Sequence, residues 1–327
     1  ITAGFANVQT GALTNGTTYS INAKIIDSAG NTSTASGTFS ITVDNAATNA
    51  PTITSVTDNV GLIQGTLTSG GRTDDTDLTV KVTLPTKGAL AVAGDTIQLY
   101  NATTTLGSAY KLTTADITAG FANVQTGALT NGTTYSINAK IIDAAGNAST
   151  ASGNFSISVD TTTPITPSVA AYTTTTINGS AEPNSTILLS TATTAPTTFA
   201  AATATTAAGG SYSLAFGTLT GSTAGTRYFL YSRDQAGNIS TAATQSLIQG
   251  TRNNDTFNNV GGTGSDLLIG GAGTDKTSYS VNGGAISLTG QLASTQSTTT
   301  GTTVNIGQLN IDVLTGVESL EFTTTGY

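Results

Sequence analysis

Residues 1–44 recur almost letter for letter at 117–160, and this duplication limits the possible folds more than any other feature. Ile1 to Asp27 reappears unchanged as Ile117 to Asp143. Beyond it only Ser28/Ala144, Thr32/Ala148, Thr38/Asn154 and Thr42/Ser158 differ. All four swaps exchange small residues, expected to face solvent or sit in turns. A period of about 116 residues means a tandem array of whole domains and excludes a short-period solenoid. The chain opens inside a repeat, since Ile1 aligns with Ile117, so it reads as the C-terminal part of a longer protein. A half-repeat alone exposes unpaired strand edges. It is therefore expected to be completed by upstream sequence or by strand addition from another chain.

The repeat carries half-buried strands. Tyr135, Ile137, Ala139 and Ile141 fall on one face, with Ser136, Asn138 and Lys140 on the other, the period of a strand. Phe155, Ile157 and Val159 alternate with serines, and Leu78, Val80, Val82 and Leu84 alternate with Thr79, Lys81 and Thr83. Turn signals separate them at Ser69-Gly70-Gly71, Asn131-Gly132 and Ala145-Gly146-Asn147. Short alternating strands over about 110 residues describe an immunoglobulin-like sandwich. A divergent third unit keeps two landmarks. Gly-Thr-x-Tyr occurs at Gly16–Tyr19, Gly132–Tyr135 and Gly225–Tyr228, and Asp-x-Ala-Gly-Asn at Asp27–Asn31, Asp143–Asn147 and Asp234–Asn238. The tyrosine sits where sandwiches use a hydroxyl to pin a corner. Thr191–Ala208 reads as a variable loop or edge.

The expected organisation is 1–44, the end of one Ig-like repeat; 45–160, a complete repeat; 161–249, a divergent Ig-like domain; and 250–327, a C-terminal module. The linkers Val43–Ile53 and Val159–Pro167 contain proline, which stiffens them. The fold class is all-β. Helix formers such as Glu, Lys and Arg are scarce and Met is absent, whereas Thr, Val and Ile favour pleated structure.

Charge excludes several functions. With 18 acidic against 10 basic residues, the net charge is −8, so no basic patch can neutralise nucleic-acid phosphates. No apolar run is long enough for a membrane helix. Cys and His are absent. Disulfides, thiolate chemistry, zinc–sulfur sites and histidine-based triads or metalloprotease centres are therefore impossible in this segment. Glu318 and Glu321 lie three apart, which on a strand puts them on opposite faces. No enzyme is expected.

The sharpest motif is Gly261-Gly262-Thr263-Gly264-Ser265-Asp266, followed nine residues on by Gly270-Gly271-Ala272-Gly273-Thr274-Asp275. Tandem G-G-x-G-x-D units signal a calcium β-roll. Glycines permit tight turns and offer carbonyl oxygens, and aspartates add hard anionic ligands. The candidate ligands are Asp255 of a degenerate preceding turn, Gly262, Gly264, Asp266, Gly271, Gly273 and Asp275; the alternative is a metal-free glycine-rich turn. A second candidate set lies at the linkers: Asp44 and Asp160 end their domains, Asp27 and Asp143 open Asp-x-Ala-Gly-Asn loops, and Asp58, Asp74 and Asp75 occupy loops of the following unit. Sandwich loops cluster at two ends, so adjacent domains can bring carboxylates to a joint, where calcium would cancel their repulsion. The alternative for these aspartates is turn and cap duty.

With these residues the chain resembles the C-terminal end of large bacterial repetitive adhesins of the biofilm-associated and RTX type. The Val-Asp-Thr-Thr-Thr-Pro linker and Asp-x-Ala-Gly-Asn loops resemble extender repeats. Residues 250–327, with Asp312–Leu320, resemble a terminal RTX module of type I secretion substrates. The resemblance implies export unfolded, folding outside in calcium, and joint calcium sites matched at Asp27, Asp44 and Asp58 in the first joint but incompletely in the second. It also implies a stalk at the cell surface or in a biofilm, with a surface or matrix component, or copies of itself, as partner. Two rivals stand: a self-assembling S-layer or filament subunit, and the non-catalytic tail of an exported enzyme.

Overall fold

The computed structural model describes residues 4–172, 176–194, 196–200, 203–215, 226–244 and 246–249, and after these only the backbone pairing of strands between 256 and 324. The residues fall into two compact units. One holds 1–59, 65–71 and 76–159; the other holds 60–64, 72–75 and 160–327.

Through the two repeats the elements run β1 (Thr18–Ile21), β2 (Phe39–Thr42), β3 (Thr52–Asp58), β4 (Gly65–Thr66), β5 (Gly71–Thr73), β6 (Thr79–Thr83), β7 (Thr96–Asn101), β8 (Thr104–Lys111), α1 (Thr114–Ala119), β9 (Phe121–Gln125), β10 (Thr134–Ile142) and β11 (Phe155–Val159). Strands of the complete repeat form two sheets, β5-β11-β10-β7-β8 and β4-β3-β6-β9. Their inward residues share one core: Val56, Val80, Val82 and Val124 from the second sheet meet Ile97, Leu99, Ile137, Ile141 and Ile157 from the first. The alternation read in β6, β10 and β11 is thus the inner face of a sandwich. Asn138, read as an outward polar residue, is buried. Its amide donates to Ala102 O at 2.9 Å, satisfying the carbonyl of a turn residue held at φ 54. Helix α1 is closed by a capping box between Thr113 and Asp116 and by Gly120 in the left-handed region, as expected of helix ends.

The corner tyrosines do what their position implies. Thr130 N–H donates to the Tyr135 hydroxyl at 2.8 Å, and Thr14 N–H to Tyr19 at 2.9 Å. The half-repeat keeps the pairing of the complete one, Thr18↔Thr42 in β1–β2 matching Thr134↔Ser158 in β10–β11. Burial differs: among the described residues β1 pairs with β2 alone. Ile25 is 75% exposed where its twin Ile141 is 0%.

The remaining strands are β12 (Ser168–Tyr172), β13 (Thr176–Ser180), β14 (Thr186–Ser190), β15 (Thr203–Thr205), β16 (Ser211–Ala215), β17 (Thr226–Arg233), β18 (Ser246–Gln249), β19 (Thr256–Asn258), β20 (Asp266–Ile269), β21 (Lys276–Val281), β22 (Ile286–Thr289), β23 (Thr302–Ile306), β24 (Ile311–Thr315) and β25 (Ser319–Thr324). β12-β13-β16 form one layer of a second sandwich and β15-β14-β17-β18 belong to the other, with Ile177, Ile187, Leu189, Leu214, Leu230 and Leu247 between them. β15, an edge strand, falls inside the stretch read as a loop or edge.

Beyond β18 the pairing changes from antiparallel to parallel. β18 pairs with β20 and β20 with β24, while β19 pairs with β21 and β21 with β25. The chain alternates between the two ladders, β18 to β19 and back to β20, then β21. Parallel neighbours need such a crossover, since no hairpin can join them. β22 and β23 extend the first ladder by antiparallel pairing.

Candidate functional site

The candidate site is built where each sandwich receives the chain from the one before. β10 runs from the Gly132 end, where Gly132 N–H donates to Val159 O, to the Asp143 loop at its far end. Nine strand residues at about 3.3 Å each keep those ends nearly 30 Å apart. Asp143 therefore lies at the entry end of the complete repeat and Asp160 at its exit. The same pairing in β1–β2 puts Asp27 and Asp44 at opposite ends of the half-repeat.

Each Asp-x-Ala-Gly-Asn loop is a turn folded around its own aspartate. In the third copy Asp234 Oδ1 accepts from Ala236 N at 2.9 Å, Gly237 N at 2.8 Å and Asn238 N at 2.9 Å, and Oδ2 accepts from Asn238 Nδ2 at 2.8 Å. Asp143 and Asp27 accept the same Asn side chain and two backbone N–H groups. Glycine is required in each, with φ 89 at Gly30, 94 at Gly146 and 113 at Gly237. For Asp143, burial alone would raise the carboxyl pKa, but the Asn147 side chain and backbone N–H groups outweigh it and the net shift is downward. For Asp27 the Asn31 side chain leads, also lowering it.

The asparagine of the loop has a second task. Asn147 Nδ2 donates to Asp44 O at 3.2 Å, and Asn238 Nδ2 to Asp160 O at 2.7 Å. Each loop thus grips the carbonyl of the aspartate that ended the preceding sandwich. Both linkers are tied down further along: Asn49 bonds to Ala89 O and Lys87 O, and Ser232 Oγ donates to Ile165 O at 2.6 Å. Asp44 and Asp160 each accept a backbone N–H two residues on, from Ala46 and Thr162.

The expected grouping of Asp27, Asp44 and Asp58 at the first joint does not form. Asp44 meets the Asp143 loop, Asp27 is a strand length away, and Asp58 ends β3 in a buried position. Asp75 is also buried, its N–H donating to Thr73 Oγ1. The richer acidic neighbourhood is at the second joint. A pocket of roughly 100 Å³ is lined by Arg72, Asp160, Glu182, Pro183, Asn184, Asp234 and Gln235, too small for an organic ligand by the usual range of such sites. Arg72 Nη1 lies 3.2 Å from Asp160 Oδ2. A Cβ built on Gly61 would overlap the Asp74 carboxylate, whereas one on Gly237 would stand at ordinary contact distance from it, 3.5 Å from Oδ2. Among the described residues no group of three or more acidic side chains is arranged to hold a metal ion.

Of the glycine-rich candidates, Asp255, Gly262, Gly264, Gly271, Gly273 and Asp275 lie outside the described residues; Asp266 opens β20 opposite Ser246. Sequence reading missed Arg72, Asn147 and Asn238. The asparagines were signalled by recurring four residues after the aspartate in all three loops.

No protein-family model and no curated protein matches the chain. Among solved structures, the FN1–FN3 domains of chicken CNTN1 are 14% identical, covering 72% of this chain and 75% of that one, with a TM-score of 0.33. SGBP-B of the Bacteroides ovatus mixed-linkage glucan utilization locus, solved with mixed-linkage heptasaccharide, is 16% identical over 85% of this chain and 72% of that one, with a TM-score of 0.21. Among the described residues no helix is long and apolar enough to cross a membrane. The all-β class rests on the strands themselves.

Proposed function

We propose that this chain is a non-catalytic, extracellular structural segment that spaces and attaches, working at a bacterial cell surface or in a biofilm matrix. The observation that carries the reading is the joint: one asparagine-to-carbonyl clamp recurs at two successive linkers, Asn147 on Asp44 and Asn238 on Asp160. A repeated clamp restrains each linker against the next sandwich, as a spacer stalk needs. The parallel ladders that follow β18 support a β-roll C-terminal module, in which Asp255, Asp266 and Asp275 with Gly262, Gly264, Gly271 and Gly273 would hold calcium. In this reading calcium supplies folding energy to that module outside the cell, after export by a type I machinery. The partner is a surface or matrix component.

A self-assembling layer or filament is the rival reading. Small-angle scattering and sedimentation of the chain, in millimolar calcium and in chelator, separate the readings. A monomeric rod in calcium whose C-terminal module unfolds in chelator supports the stalk. Filaments or sheets on calcium addition support self-assembly, and identical shape, mass and folding in both buffers refute calcium's role.

A further inference from the structure

We propose that the joint around Asp160 is closed by an internal cation, the guanidinium of Arg72, and that it neither needs nor binds calcium. This assignment opposes the metal that the family resemblance suggests there, and it holds whether or not the chain is a stalk.

Three carboxylates, Asp160, Glu182 and Asp234, line the pocket, and Arg72 is its one cationic lining residue. Uncompensated, they would repel one another across a small space. Arg72 lies on β5, next to β11 in the sheet, and Asp160 N–H donates to Thr73 O at 2.8 Å, so the ladder carries Asp160 to the side of Arg72. The pair at 3.2 Å is a cross-strand contact set by backbone register. A guanidinium suits the place, being always charged and weakly hydrated.

Calcium ligation fits poorly at the same spot. Calcium takes six to eight oxygens. Both oxygens of Asp234 are already engaged by the four donors of its own loop. Oδ2 keeps one lone pair beyond the Asn238 amide, so Asp234 has at most one further contact to give a metal. Asp160 is likewise committed, with Oδ1 accepting from Thr162 N and Oδ2 facing Arg72. The arginine completes the joint without disturbing either loop.

The test is hydrogen exchange of the full chain, followed by mass spectrometry on peptides covering 70–77, 158–168 and 230–240, in millimolar calcium and in chelator. Wild type, Arg72→Gln, Asp160→Asn and the double variant are compared. The wild type is expected to exchange equally in both buffers at these peptides. Each single variant speeds exchange there by about two- to five-fold, the range of a half-exposed ion pair. The double variant goes no further than either single one. High salt speeds exchange in the wild type and leaves Arg72→Gln unchanged. Peptides covering 134–142 stay protected throughout, which separates the joint from the sandwich. Slower exchange of the wild-type joint peptides in calcium overturns the proposal, and so does Arg72→Gln exchanging like the wild type.

Discussion

Replacing Asp234 by alanine removes one carboxylate that four donors share, all at 2.8–2.9 Å. Hydrogen bonds to a charged acceptor contribute about 1.5–3 kcal/mol each in isolation, and a stranded buried donor costs about 1–3 kcal/mol. The four are not additive, because they fold a single loop. Ala236, however, is buried, so its N–H does not regain water when the carboxylate goes. The expected loss in local opening free energy is about 3–5 kcal/mol, at the upper end for a single substitution. Asp234→Asn is the informative control. Its Oδ1 keeps three backbone donors, but an NH2 group then faces the Asn238 NH2, so the loss falls to about 1–2 kcal/mol and the Asn238–Asp160 clamp still breaks. Native-state hydrogen exchange over 226–249 reads the opening, and peptides over 158–168 read the clamp. Asp27→Ala, in the exposed twin loop, is expected to change little. Equal, small effects for Asp234→Ala and Asp27→Ala would refute the claim that the loop aspartate organises the joint.

Other outcomes follow from the same structure. Ile141→Ala should destabilise by about 2–5 kcal/mol and Ile25→Ala, its exposed twin, by close to nothing, as read by chemical denaturation. Gly107→Ala should destabilise markedly, since φ is +63 and a Cβ would stand 2.6 Å from Thr126 O; melting temperature checks it. Asp143 and Asp116 have lowered folded pKa values, Asp116 chiefly through the Thr113 hydroxyl. Their stabilisation is complete above the ordinary value of 3.8 and disappears as pH falls through the lowered folded values, so stability should hold steady through neutral pH and fall only in acid. At the alkaline end burial raises Tyr212 to about 12 from 10.0. Its stabilisation is complete below 10.0 and fades as pH rises toward about 12, visible as delayed tyrosinate absorbance.

The sandwich was legible because a half-buried strand writes its period into the sequence. Leu78, Val80 and Val82 could be assigned an inner face from alternation alone, and all three are buried. The joints were less legible. Asp27, Asp44 and Asp58 stand close in sequence, yet which end of a sandwich each occupies depends on strand direction, which composition and spacing do not record. Asn138 shows a similar limit: its alternation said outward, yet it is buried with its amide on the carbonyl of Ala102, between β7 and β8. Arg72 pairs with a residue 88 positions away, a contact that exists only once β5 lies beside β11.

The four differences between the copies show which surface the duplication has kept. In the complete repeat, Ser136 N–H donates to Asn101 Oδ1, Asn138 Nδ2 donates to Ala102 O, and Ala139 and Ile141 enter the core. All of these reach elements from the 45–116 stretch, and their counterparts Ser20, Asn22, Ala23 and Ile25 are unchanged. Of the swaps, only Asn154, where the first copy has Thr38, touches this set, its Oδ1 accepting from Asn138 Nδ2 at 3.3 Å. Ala144, Ala148 and Asn154 are exposed. Thr42/Ser158 lies within a strand but preserves a cross-strand hydroxyl contact, Thr18 Oγ1 to Thr42 Oγ1 and Thr134 Oγ1 to Ser158 Oγ, each at 2.8 Å. The half-repeat therefore presents the same chemical face that β7 and its neighbours cover in the complete copy. In the complete copy that face, on β10 and β11, is buried against residues of the 45–116 stretch such as Val56, Val80, Ile97 and Leu99.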